Sequence, residues 1–184
     1  MASLSVEAST IGIAAAVNCL VIVGLQWAVV KATGHITGAG LLIVVGIVWA
    51  ASWLLLELAL FTDRDTASLL FVIAFATFAV GETMYAPVLS PLAAAVAPQD
   101  LVGTTLGLLA ALRTGISATG PLVAGLLLAF DLPHLFVLGH VAINALAAVL
   151  SWRLLRNGVG DRPGVDNAEE VEEEATASTR SAHV

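Results

Sequence analysis

Runs near residues 11–30, 39–61, 68–96, 104–130 and 134–155 are almost unbroken in their apolar character. Each holds the ~20 residues that a helix needs to cross a hydrocarbon core of ~30 Å. Five such runs in a chain of 184 residues leave little else to build with. Hydrophobic residues make up 59% and charged residues 11%, against roughly 45–50% and about 25% in water-soluble domains. A soluble fold of this size leaves a large share of its surface in water and could not hide so much apolar area. In a bilayer the same area is the solvated kind. The expected architecture is therefore an all-α membrane protein of about five transmembrane helices.

The connections, Lys31–Gly38, Thr62–Ala67, Ala97–Gly103 and Asp131–Pro133, are short, which predicts sequential helices lying antiparallel as neighbours. The third run exceeds a single crossing, and Pro87 and Pro91 lie inside it, so a tilted or kinked helix is expected there. Only Glu7 is charged ahead of Ile11, so the first run lacks the basic start of a cleavable leader and reads as a retained span.

Orientation follows the basic residues. With the amino terminus outside, the inner side receives Lys31, Arg153, Arg156, Arg162 and Arg180, and the outer side only Arg64, between Asp63 and Asp65. This predicts a multi-pass protein of the cell (plasma) membrane with a cytoplasmic carboxyl terminus. Of the net charge of −7, residues 157–184 carry −5, concentrated in Glu169, Glu170 and Glu172–Glu174. That segment has too little apolar content to fold alone and reads as a disordered, solvated tail. No basic stripe is present that could neutralise nucleic-acid phosphates. Cys19 is the single cysteine, so no intrachain disulfide and no multi-cysteine metal site can form.

A charge in hydrocarbon costs ~3 kcal/mol on insertion scales and so asks for a functional explanation. Glu82 lies near the middle of the third run and Arg113 near the middle of the fourth. Two readings stand: a Glu82–Arg113 pair lining a water-filled pathway for proton-coupled transport, or a buried ion pair that only joins two helices. Glu57 lies near the outer end of the second run, where a side chain reaches headgroups, and Trp53 is spaced to anchor beside it. Asn18 and Gln26 in the first run, and His140 and Asn144 in the last, are explained by interhelical hydrogen bonds or by contact with substrate. His134 and His140 are too far in sequence from carboxylates and thiols to suggest a metal site, Asp131 apart. No His-Glu-x-x-His, Gly-x-Ser-x-Gly or phosphate-binding loop is present. An enzyme is not expected, and no cofactor is implied. Small residues, such as Gly38-Ala39-Gly40 and the Gly103–Gly107 pair, predict close helix approach.

Gly81-Glu82, Pro87, Pro91, Ala97-Pro98, Gly103, Gly107 and Gly120-Pro121 with Gly125 resemble the tenth and eleventh helices of major facilitator superfamily transporters, most of all bacterial proton-driven drug-efflux members. Asn18 and Leu25-Gln26 before Lys31 are similar to the eighth helix. The resemblance covers residues 1–156 as helices eight to twelve of such a transporter. It implies a truncated carboxyl-terminal portion of a secondary transporter that works by alternating access between two six-helix halves. Its partners would be the bilayer, a small-molecule substrate, protons, and the missing amino-terminal helices or a polypeptide supplying them. Glu82 and Arg113 would serve the pathway, and Asn18, Gln26, Tyr85, His140 and Asn144 the cavity. The chain departs from the family at 31–38, where Lys31, Gly34 and His35 replace the Asp-Arg-x-Gly-Arg pattern, and at Val102, where an Arg is usual. A non-transporting membrane protein, its polar residues only holding a bundle together, is the alternative.

Overall fold

The computed structural model describes residues 7–34 and 36–158. The acidic segment from 159 onward, with Arg162 and Arg180, lies outside the described residues, as does His35. The described chain is helical: α1 (Ala8–Thr33), α2 (Gly38–Ala59), α3 (Arg64–Val96), α4 (Val102–Ala129, preceded by a 3-10 turn at Gln99–Leu101) and α5 (Pro133–Arg156). All five are long and apolar enough to cross a membrane. Their limits fall within about four residues of those expected from hydropathy, the usual uncertainty of helix ends read from sequence. The 22 residues of α2 span ~33 Å at 1.5 Å per residue, a close match to the hydrocarbon core. The 33 residues of α3 span ~50 Å and overshoot it. α3 runs uninterrupted through Pro87 and Pro91, although neither can donate a hydrogen bond to the preceding turn.

Chain order is not spatial order. α2 packs on α3 and α5, and α1 packs on α3, giving a row α1–α3–α2–α5. Among consecutive helices only α2 and α3 make an extensive interface, so the expected neighbour-by-neighbour bundle is corrected. α4 makes only sparse contact with α3 and α5. Side-chain contacts fix the directions. Asn18 to Phe75 and Glu7 to Arg64 share one sequence offset, 57, so α1 and α3 are parallel. Trp49 reaches Phe78 and Ser52 reaches Ala74, so α2 and α3 are antiparallel. Trp53 meets His140, and Gly46 lies under Ala148, so α5 is antiparallel to α2. Lys31, Arg153 and Arg156 therefore gather at one end and the Glu7–Arg64 pair at the other. At the basic end Lys31 lies 5.1 Å from the Trp27 ring centroid, and Arg156 lies 4.9 Å from that of Trp152. Those indoles match interfacial anchors. Trp53 does not: it is half-buried and stacked on His140.

The seams are built from small residues. An added Cβ at Gly46 would sit 3.0 Å from Ala148 Cβ and from the Asn144 carbonyl. One at Gly81 would overlap the Trp49 indole nitrogen and its neighbouring carbon. α2 begins at an N-cap, with the Gly40 amide donating to Thr37 Oγ1 at 3.2 Å, and α3 begins likewise at Asp63. There the Thr66 hydroxyl donates to Asp63 Oδ1 at 2.7 Å and the Thr66 amide to Oδ2 at 3.2 Å. These two bonds, the hydroxyl's first, hold the Asp63 pKa below its ordinary value.

Two outcomes follow. Gly81→Ala should destabilise the detergent-solubilised chain by about 1–3 kcal/mol, since overpacking displaces the indole. Gly107→Ala, where an added Cβ meets nothing within 4 Å, should be neutral or gain up to ~1 kcal/mol of helix propensity. Denaturant titration of both variants distinguishes the two sites. Because the folded pKa of Asp63 is depressed, its cap contributes fully above the ordinary carboxylate pKa and is lost as pH falls through the folded value. Amide exchange in the first turn of α3 should accelerate in that acid window in the wild type, and should lose this pH dependence in Asp63→Asn.

Candidate functional site

Polar side chains in an apolar bundle must find partners, and here several find them on α3. Asn18 Nδ2 donates to the Phe75 carbonyl at 3.2 Å, Ser52 Oγ to Ala74 at 2.9 Å, and Trp49 Nε1 to Phe78 at 3.1 Å. These carbonyls already close the helix, and their second lone pairs accept from the neighbouring helices. Trp49 also stacks on Phe78 at 5.1 Å and tilts against Tyr85 at 5.1 Å. Gly81 is the opening that admits its indole. Asn18 therefore joins helices, as one sequence reading had it. Gln26 is half-buried on the same stripe of α1 but makes no side-chain hydrogen bond among the described residues. His140 and Asn144 differ from the interhelical expectation: His140 Nδ1 meets the Phe136 carbonyl at 2.8 Å, and Asn144 donates to the His140 carbonyl at 2.8 Å, both within α5.

Glu82 and Arg113 do not form the expected ion pair. The guanidinium of Arg113 lies over Tyr85, 5.4 Å from the ring centroid, an arrangement in which the π-face takes part of the positive charge. Tyr85 is three residues from Glu82, on the same side of α3. Glu82 is half-buried and has no hydrogen-bonded or ionic partner among the described residues. Tyr85 thus neighbours Arg113 in space and Glu82 along α3, and no salt bridge joins the two charges.

α4 carries no buried residue. Gly103, Gly107, Ala110, Arg113, Thr114, Ser117, Pro121 and Gly125 repeat at three- and four-residue spacing and form one small, polar stripe. Leu108, Leu112, Ile116 and Leu126 lie on other sides. An open groove of about 370 Å³ runs along Ala110, Arg113, Thr114 and Ser117. Its volume falls within the ~300–1,000 Å³ of small-molecule sites, but a single helix cannot enclose a ligand. The glycine pair at 103 and 107 has no neighbour to admit, so the close approach expected of it is not made among the described residues.

A second polar cluster lies at the end of the bundle that holds Glu7 and Arg64. His134 Nδ1 is 2.6 Å from Glu57 Oε1, joining the start of α5 to the end of α2. Phe61 stacks on His134 at 5.6 Å, and Trp53, Phe136 and His140 pack together one turn deeper. Glu57 is therefore turned onto α5 rather than toward headgroups, and His134 is not isolated from carboxylates. Seventy-seven residues separate the two, so no local pattern announces the pair. The signal was available in the topology, because two helices, α3 and α4, separate the end of α2 from the start of α5 and return the chain to the same end. Among the described residues no group of three His, Cys, Asp or Glu side chains could hold a metal ion.

What this fold defines is a chain with five helices fit to cross a membrane, two mid-helix charges without an ionic partner among the described residues and one helix left uncovered. No protein-family model, curated protein or solved structure matches it.

If the α4 groove is wet, Thr114→Cys and Ser117→Cys, in a Cys19→Ser background, should react with a membrane-impermeant thiol reagent. Leu112→Cys and Ile116→Cys, directed away from it, should react at least about tenfold more slowly, since a thiol reacts as its water-exposed thiolate. Equal rates on both sides would show that the stripe faces lipid.

Proposed function

We propose that the chain takes part in transmembrane transport of a small molecule, as the carboxyl-terminal helices of a secondary transporter of the major facilitator kind, with proton-coupled efflux as its mode. The protein is then a multi-pass component of the plasma membrane, amino terminus outside and carboxyl terminus cytoplasmic. The observation that carries this reading is the mid-helix pair of unmatched charges beside an uncovered polar helix face. Glu82 is a half-buried carboxyl with no ionic partner among the described residues, and an ionisable side chain so placed in a spanning helix is the kind of group that marks a proton or substrate pathway. Arg113 over Tyr85 supplies a positive edge to the same space. The groove along α4 lacks its opposite wall, which suits a helix built to face a second bundle across a central cavity. That bundle would come from further helices of the same polypeptide or from a partner. No nucleic acid, cofactor or enzymatic step enters this reading.

One observation favours the structural alternative for part of the molecule. Asn18, Trp49 and Ser52 are committed to α3 carbonyls, and such bonds hold a bundle together without serving a substrate. The pathway is accordingly assigned to Glu82, Tyr85 and Arg113, with Gln26 a half-buried polar group of α1 that has no hydrogen-bond partner among the described residues.

In membrane vesicles containing the assembled transporter, an imposed proton gradient should drive substrate-dependent flux. Glu82→Gln should reduce it at least about tenfold, the effect expected of a lost proton carrier, with the amount of inserted protein unchanged. Undiminished flux from that variant would remove Glu82 from the mechanism. A wild-type assembly that moves no substrate would favour the structural alternative.

A further inference from the structure

The basic end of the bundle has no part in the transport reading. We propose that it carries two binding sites for phospholipid headgroups of net negative charge, each built from an exposed indole and the cation one turn after it. Trp27 and Lys31 form one on α1, and Trp152 with Arg153 and Arg156 the other on α5. These sites require the helices to cross a bilayer, and they require nothing of a transported substrate.

The same device stands at both outer edges of the row α1–α3–α2–α5. Lys31 Nζ lies 5.1 Å from the Trp27 ring centroid, and the Arg156 guanidinium 4.9 Å from that of Trp152. In each case the cation follows the indole at the i, i+4 spacing that puts both on one face of a helix. Both rings face outward: Trp27 is 75% exposed and Trp152 48%. Among the described residues Trp49 is the indole that donates to a carbonyl, so the N–H groups of Trp27 and Trp152 are left for an outside acceptor. Lys31, Arg153 and Arg156 are exposed and meet no carboxylate among the described residues. An unpaired N–H beside an unpaired cation, at the level where hydrocarbon gives way to headgroups, is a donor set suited to a phosphate diester.

An interfacial tryptophan by itself does not choose between headgroups; the charges add the choice. At this end the described residues set Lys31, Arg153 and Arg156 against Asp100. At the other end Glu7, Asp63, Asp65 and Asp131 outnumber Arg64, so an anionic headgroup is attracted at one level and repelled at the other. The carboxyl-terminal dipoles of α1 and α5 oppose the attraction with roughly half an elementary charge each. Lys31 outweighs that on α1, and two arginines outweigh it further on α5. A choline headgroup could instead lay its ammonium on an indole. Here the protein's own cation covers a face of each ring, which closes that face to choline and repels the ammonium. A phosphatidylglycerol headgroup has no ammonium and keeps the full charge of its phosphate.

Two protein groups could compete for these cations. Asp100 is exposed in the 3-10 turn ahead of α4 and forms no ion pair among the described residues. The acidic segment that follows α5 carries five net negative charges over residues 157–184. Its attachment to α5 does not account for the same Trp–cation spacing on α1, at the far edge of the row. Lipid is the occupant present at both edges.

The test reconstitutes the full chain into phosphatidylcholine vesicles in which a minor share of the lipid carries bromine on its acyl chains, a contact quencher of tryptophan emission. That share is brominated phosphatidylglycerol in one preparation and brominated phosphatidylcholine in the other. Trp49 is packed against Phe78 and Tyr85, and Trp53 against His140, so the quenchable emission comes mainly from Trp27 and Trp152. The phosphatidylglycerol should quench at least about twofold more strongly, as basic residues at a membrane surface favour anionic lipid. In the triple variant Lys31→Gln, Arg153→Gln, Arg156→Gln the two lipids should quench equally. Equal quenching in the wild type, the result expected if the acidic segment holds these cations, overturns the proposal. So does a preference that survives in the triple variant. Quenching by the phosphatidylcholine shows that the chain is in the bilayer, so a missing preference is not mistaken for failed insertion. No quenching by either lipid would remove the sites together with the membrane reading.

Discussion

In an apolar bundle every polar side chain needs a hydrogen-bond partner from the protein, and in this chain three such demands are met on one short stretch of α3. The carbonyls of Ala74, Phe75 and Phe78 take donors from α2 on one side and α1 on the other. Close packing alone distinguishes poorly between helix registers when every surface is Leu, Val, Ile and Ala. A Trp, a Ser and an Asn that must each reach a particular carbonyl remove that degeneracy. Gly81 belongs to the same device, because any side chain there would push the indole of Trp49 away from its acceptor. The parallel α1–α3 pair and the antiparallel α2–α3 pair follow from these bonds, and the row α1–α3–α2–α5 is completed by the glycine contact at Gly46.

α4 stands outside this arrangement. None of its Thr or Ser side chains bonds to another helix: Thr114 and Thr119 donate to carbonyls of their own turns, Ala110 and Ile116. Its glycines admit nothing. Its one charge rests on Tyr85. A helix with a small and polar stripe, and no partner for it among the described residues, is held together by its backbone hydrogen bonds, which do not fix its position. The stripe would be wasted if lipid were its permanent neighbour, since leucines suit lipid better. That contrast between α4 and the interlocked α2–α3 pair is the physical content of the transport reading.

The five helices were legible because hydropathy over ~20 residues is a statement about solvent, and it needs no tertiary information. Pairing was less legible. Short loops suggested that neighbours in sequence are neighbours in space, and α1 shows the failure: its loop to α2 is short, yet its half-buried stripe through Ala14, Asn18 and Gln26 faces α3. The loop limits how far apart the connected ends lie, and the interior acceptors decide which helix is joined. Polar partners were hardest to foresee. Glu82 and Arg113 read as lying at similar depth, but depth says nothing about rotation around each helix, and Tyr85 is the group presented to the guanidinium. Glu57 was read from its distance to the helix end alone, although α5 begins at that same level.

The charges also sort by level along the bundle, and their chemistry changes with that level. At the basic end Lys31 and Arg156 lie over tryptophan rings, where exposed cations need no carboxylate. At the opposite end Glu7 pairs with Arg64, exposed on both sides, and Glu57 contacts His134, exposed on the imidazole side only. Between them Glu82 and Arg113 form no ion pair, with each other or with any other described residue. Solvent compensates a charge at either end, so pairing there is optional and weakly stabilising. At mid-helix it is the least expensive remedy, and two opposite charges in one neighbourhood that remain unpaired require a different source of compensation. For Arg113 part of it comes from the Tyr85 ring; on the transport reading the rest would come from water in a cavity or from a polar group on a helix facing the uncovered side of α4.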